Sequence, residues 1–246
     1  MLLKIRPVLF TLIFFASLET IVFFGKYVFF IMAFLFFLSL YEGRKIGGRL
    51  LFSILPAFFV LSSVALLYLI GLPYEEQIFI VLASGMYYLS LFSAYRLGKY
   101  SGDQTARGMN MAAASATIFF TYASSYGLYL NFLVPLHYLM IVYMSATLLV
   151  SFQYFAIIRP GERKKVWMYS FVLALAMAEI VWTMNFWPFG YLTSGVIALI
   201  LYYVLWDLVQ SYFLGSLSRH RVISNGIFFS FLVALVLLTS KWIPVL

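Results

Sequence analysis

The chain contains no cysteine. That removes disulfides, thiolate metal sites, cysteine-ligated iron–sulfur clusters and cysteine nucleophiles. Histidine is nearly as scarce, with only His137 and His220. Two histidines that far apart do not supply the clustered set of a zinc hydrolase such as H-E-x-x-H, and no G-x-x-x-x-G-K-[ST] phosphate loop is present. Asp103 and Asp207 are the only aspartates, so the paired aspartates of magnesium-dependent prenyl or phosphoryl transfer are lacking. Glu75 and Glu76 are adjacent but run into Gln77, Ile78 and Phe79, which is neither a metal-ligand spacing nor an arginine partner. No lysine lies deep in an apolar run, which excludes a retinal Schiff base. The inventory therefore predicts no cofactor, no metal site and no catalytic constellation.

Charge is scarce as a class: 10% of the 246 residues are charged and 65% are hydrophobic. Ordinary soluble domains carry about 25% charged and roughly 45–50% apolar residues. No soluble globule has interior enough for that much apolar surface. The connections between apolar runs are also too short to fold alone, so the expectation is an all-α, polytopic transmembrane helical bundle, a single integral membrane domain over residues 1–246, with no soluble domain. The N-terminal MLLKIRPVLFTLIFF has the basic start of a signal peptide, but Glu19 interrupts its apolar run and no A-x-A-like cleavage site follows. It reads as a retained first helix.

A membrane helix needs about 20 mostly apolar residues. Cutting at polar punctuation gives runs from Val8 to Phe24, Tyr27 to Tyr41, Leu50 to Leu72, Gln77 to Tyr95, Met111 to Asn131, Leu136 to Ile158, Val166 to Met184, Phe189 to Leu214 and Val222 to Ser240. The net charge of +8 tests that cut. With nine spans, 14 of the 16 cations fall on one side and only Lys26 and Lys241 on the other. By the positive-inside rule this predicts the cell membrane, a cytoplasmic N-terminus and an outside C-terminus. The weakest cut is the first hairpin, Glu19 to Gly43; if both short runs fail to span, seven remain and still obey the rule. The cations cluster at helix ends, which suits anionic inner-leaflet headgroups and offers no basic face for nucleic acid. Partner membrane proteins or further copies of the chain are the expected protein neighbours.

Tyr41, Tyr95, Tyr154 and Tyr212 recur at inner helix ends. Tyrosine favours the interface, so similar hairpin lengths explain the pattern without a true repeat.

An ionisable group at mid-membrane costs at least about 2.5–3.5 kcal/mol on insertion scales, which makes each one a functional candidate. Glu19, Glu179 and Asp207 fall within predicted spans. At 1.5 Å per residue, Glu19 and Glu179 both sit about 8–9 Å below the outer ends of their helices. Ala174, Ala176 and Ala178 crowd the stretch around Glu179 and predict that it faces the protein interior. Trp182 and Thr183 lie on the same face as Glu179. The expected site is an outward-facing polar pocket holding Glu19 and Glu179 with His137, Asn131, Trp182 and Asn185, and with Tyr126 beside them. Asp207, towards the inner end of the eighth helix, is expected to anchor that end against basic loops. Glu42, Asp103 and Glu162 sit among basic residues and read as their solvated partners.

Three function classes follow. One is permeation of a small solute or protons through the outer pocket. Another is a structural or accessory subunit. The third, an enzyme on a lipid-linked substrate at the outer face, is weakest because the outer loops are so short.

Overall fold

The computed structural model describes residues 2–100, 102–132 and 134–240. Lys241 lies outside the described residues, as do the side chains of Lys4 and Arg221. Nine α-helices and no strand occur among the described residues. They are α1 (Leu2–Phe24), α2 (Val28–Gly47), α3 (Ile54–Leu67), α4 (Pro73–Lys99), α5 (Gln104–Phe132), α6 (Leu136–Ile158), α7 (Arg163–Met184), α8 (Tyr191–Phe213) and α9 (Arg219–Thr239). A single 3-10 turn, Leu50–Ser53, leads into α3. This is a helical membrane bundle. Seven helices are long and apolar enough to cross a membrane: α1, α4, α6, α7, α8, α9 and the Leu50–Leu67 segment. The other two are α2 and α5. They differ from the two that the short-hairpin alternative would drop, since α1 qualifies. At 1.5 Å per residue α2 is still about 30 Å long and α5 about 43 Å.

Helix ends depart from the apolar runs where backbone chemistry overrides hydropathy. α2 continues through Glu42, Arg44 and Lys45 and stops at Gly48, whose φ of 72° closes the helix with an N–H bond to the Arg44 carbonyl. That left-handed position is one glycine fills without strain. α4 starts at Pro73, where the ring's fixed φ suits the first turn, and Glu75 and Glu76 face the positive end of the helix dipole.

Helix contacts divide the chain into two units, residues 1–121 and 122–246. In the first, α2 packs on the 3-10 turn and α3, while α1, α2 and α3 all pack on α4. Its core is aromatic: Phe14 stacks on Tyr87 at 4.4 Å, and Phe59 lies 6.1 Å from both. In the second, α6 and α7 form a closely packed hairpin, α7 packs on α8 and α8 on α9. The α5 segment of this unit meets α8 at Gly195, where an added Cβ would come within 2.8 Å of the Ala123 Cβ. Nothing in the Val222–Thr239 stretch of α9 is buried.

Tyrosine also fills the core. Tyr87, Tyr122, Tyr126, Tyr143 and Tyr202 are wholly buried, and of the four tyrosines at helix ends Tyr154 is buried against Trp206 with its ring 4.9 Å away. A phenol can be buried between helices when its hydroxyl finds a partner, and Tyr87, Tyr122, Tyr126, Tyr143 and Tyr202 each have one on a neighbouring helix.

Candidate functional site

In the first unit polar groups on α1, α2, α4 and α5 meet in pairs. Ser39 Oγ on α2 and the Tyr87 hydroxyl on α4 share a 2.7 Å hydrogen bond. One turn further along α2, Glu42 is buried, and Arg6 Nη1 on α1 approaches its Oε2 at 3.5 Å. Glu42 is thus a buried carboxylate within α2 rather than a solvated loop residue. The reason is that α2 runs past its charged positions, and residue 42 falls on the face already carrying Leu35 and Ser39. Asn110 on α5 is buried too and lies 3.5 Å from Ser93 Oγ on α4.

The second unit holds a ladder of hydroxyls. Tyr122 and Tyr143 lie face to face, 4.0 Å apart and 3° from parallel. The Tyr122 hydroxyl bonds Thr147 Oγ1, and the Tyr143 hydroxyl donates to the Tyr122 carbonyl at 3.0 Å. The Tyr126 hydroxyl reaches the Met184 carbonyl at 3.5 Å. Two turns along α6 from Tyr143, Ser151 Oγ and the Tyr202 hydroxyl are 3.1 Å apart. Each rung joins two helices. Beyond the last rung lie five buried polar atoms without a hydrogen-bond partner: Gln153 Oε1, Ser170 Oγ, Trp206 Nε1, Gln210 Oε1 and Ser211 Oγ.

The residues singled out from sequence fall in both units. Glu19 belongs to the first unit and is half-buried; Gln77 Nε2 on α4 donates to its Oε2 at 3.1 Å. Glu179 belongs to the second unit and is exposed on α7, not interior. The alanines do mark the packed face, since Ala174 and Ala178 are buried with Met177 and Val181. Glu179 is one residue past Ala178, and about 100° of helical rotation carries it off that face. Trp182 is 50% exposed on the same side, its ring 5.8 Å from Phe186. His137 is exposed in the first turn of α6 with its ring 4.4 Å from Tyr138. Asn131 turns back on its own helix, donating to the Gly127 carbonyl at 2.8 Å. Asn185 is half-buried at the end of α7, bonding Val181 through its backbone. Among the described residues no hydrogen bond or ion pair joins Glu179 to His137, Asn131, Trp182 or Asn185. Asp207 is buried, and Asn225 Nδ2 on α9 donates to its Oδ2 at 2.5 Å. An amide on the adjacent helix takes part in the anchoring that the sequence assigned to basic loops.

Outside the spans, two carboxylates are tuned by their surroundings. Asp103 Oδ1 accepts the Ala106 N–H at 3.1 Å, capping α5, and Oδ2 meets Arg96 at 2.6 Å. The cap, with the Arg96 charge behind it, holds the carboxyl below its usual range. Glu162 is lowered chiefly by Lys165, whose ammonium is 2.8 Å away, with Arg159 contributing at 3.6 Å. No group of three metal-ligating side chains occurs among the described residues.

An open groove of about 430 Å³ runs between α8 and α9 and is lined by Leu201, Val204, Gly226, Phe229 and Val233 among others. It is almost wholly apolar. A family model described as a protein of unknown function (DUF5656) matches residues 39–239. No curated protein and no solved structure matches the chain.

Proposed function

We propose that this chain, which belongs to the family described as protein of unknown function (DUF5656), is a structural or accessory subunit of a membrane assembly. The observation that carries this is how its buried hydroxyls are used. Ser39 with Tyr87, Tyr122 with Thr147, Tyr143 with the Tyr122 carbonyl and Ser151 with Tyr202 each lock one helix to another. Each of these hydroxyls is buried and directs a hydrogen bond at a facing helix, which suits holding the bundle together. Interhelical hydrogen bonds of this kind hold membrane bundles together.

In this reading the chain sits in the cell membrane with all nine helices crossing. The N-terminus is cytoplasmic and the C-terminus outside, as the distribution of 14 cations against 2 supports. The inner cations then meet anionic headgroups.

Permeation keeps one supporting observation, the five unpartnered polar atoms of α6, α7 and α8. They gather towards the α6–α7 loop, so a polar chamber there would open inward rather than outward.

Gentle extraction from native membranes followed by native mass spectrometry tests the choice. The accessory reading expects a complex of fixed stoichiometry with another membrane protein. A chain that emerges alone, and that makes proteoliposomes leak protons or small polar solutes, would overturn it in favour of permeation.

A further inference from the structure

α7 turns a straight seam outward. Met168, Val172, Leu175, Glu179 and Trp182 are all exposed, and Phe186 just beyond the helix continues the line. Their spacings alternate between four and three residues, the a and d positions of a heptad. Five of the six are apolar and need nothing beyond lipid. Glu179 is the exception.

Three other carboxylates set on the helices have partners: Glu19 has Gln77, Glu42 has Arg6 and Asp207 has Asn225, while Glu75 and Glu76 stand in the first turn of α4. The Glu179 carboxylate takes part in no hydrogen bond or ion pair among the described residues. It lies five residues inside the end of α7, about 7–8 Å along the axis. A glutamate side chain is too short to carry its charge that far to the headgroups, as lysine or arginine would. Thr183, its near neighbour, spends its hydroxyl on the Ile180 carbonyl. An acyl chain offers no donor. A second copy in a parallel two-fold arrangement would bring another Glu179 to the same depth, like charge against like. A helix with a guanidinium or ammonium group at that depth would supply both charge and donors.

We infer that the α7 seam is the docking face for a transmembrane helix of another protein, one carrying a basic side chain level with Glu179. This rests on the accessory-subunit reading and names its partner's chemistry. A lone polar group at an a position also fixes register, since the partner helix must slide until the two groups meet.

The absence of cysteine allows a single fluorophore to be attached at Gly161→Cys, in the open α6–α7 loop. Energy transfer in proteoliposomes would then report binding of a synthetic Leu/Ala membrane helix with one arginine at the matching depth, against the same peptide with leucine there. The arginine peptide should bind the protein at least about tenfold more tightly, equivalent to about 1.4 kcal/mol. Glu179→Gln and Glu179→Leu should remove that preference, whereas Glu19→Gln should retain it. Equal binding of the two peptides, or a preference that survives Glu179→Leu, overturns the proposal. So does efficient disulfide formation between two copies carrying only Val172→Cys or Leu175→Cys, which would make a second copy the occupant. If native membranes yield a defined assembly but the arginine preference is absent, the docking proposal fails and the accessory reading stands. If the preference is present and the chain is found alone, the accessory reading fails instead.

Discussion

Gly43 brings α2 against the backbone of the 3-10 turn. A Cβ there would stand 2.6 Å from the Ser53 Cα and 3.0 Å from the Phe52 carbonyl oxygen, backbone atoms of the 3-10 turn that cannot rotate away. Ordinary contact begins near 3.4 Å, so Gly43→Ala must push the turn back by about 0.8 Å. Overpacking of this kind costs about 1–3 kcal/mol. The opposing gain, alanine's better helix propensity, is at most about 0.5–1 kcal/mol. Sterics win at the middle of both ranges, and a net loss of roughly 1 kcal/mol, at most about 2.5, is expected. Gly85→Ala supplies the control: Gly85 lies inside α4 with nothing within 4 Å of its added Cβ. There only propensity acts, so stability should hold or rise. Denaturant titration in mixed micelles, followed by tryptophan fluorescence and an independent probe of helix content, measures both variants. If Gly43→Ala proves as stable as Gly85→Ala, the close approach of α2 to the turn is wrong.

Other variants test the buried polar groups and the topology. Arg6→Met should cost about 1–3 kcal/mol, because it leaves Glu42 buried without its cation and Arg6 is itself partly exposed; adding Glu42→Met should restore most of the loss in the same titration. Tyr202→Phe and Thr147→Val should each lose about 0.6–1 kcal/mol of interhelical bonding, whereas Ser170→Ala, which removes an unpartnered hydroxyl, should be neutral or stabilising. Asp103 has its folded pKa lowered, first by the Ala106 N–H and also by Arg96, so its contribution is present above the unfolded value of about 4 and is lost as pH falls through the lower folded value. Thermal stability should therefore decline in that acid window for the wild type, with a shallower decline for Asp103→Asn. Cysteines placed at Glu75 and Gly161 should react with an impermeant thiol reagent from opposite faces, and labelling of both from one face would refute nine alternating spans.

Hydropathy reads contact with lipid and little else, which explains both what was legible and what was not. The run Leu136 to Ile158 is bounded by Pro135 and Arg159, and α6 has those ends. Where an apolar run gives way to charge without a breaker, the backbone simply continues. α2 passes Tyr41 to reach Gly47, and α5 begins at Gln104, well before Met111. The signals for those ends were present, in Gly48 after Gly47 and in Asp103 as a cap before Gln104, but they belong to backbone hydrogen bonding and not to apolarity. Burial of Glu42 was not legible, because it depends on Arg6, 36 residues away on another helix. Nor were the buried tyrosines, since a phenol at an interface and a phenol bonded to a serine one helix away look alike in a sequence.

Glu179 failed for a subtler reason. Small residues do mark where helices approach, and Ala174 and Ala178 are buried as that rule requires. The rule applies to a face, however, and each residue turns the helix by about 100°. The packed face is formed by Leu173, Ala174, Met177, Ala178 and Val181, and the turn from Ala178 to Glu179 carries the glutamate past its edge. The seam of Met168, Val172, Leu175, Glu179 and Trp182 could have been found by its four-three spacing. An apolar seam with that spacing only describes one side of any membrane helix. A carboxyl group on it, with its neighbours on the packed face already accounted for, calls for a partner from outside this chain.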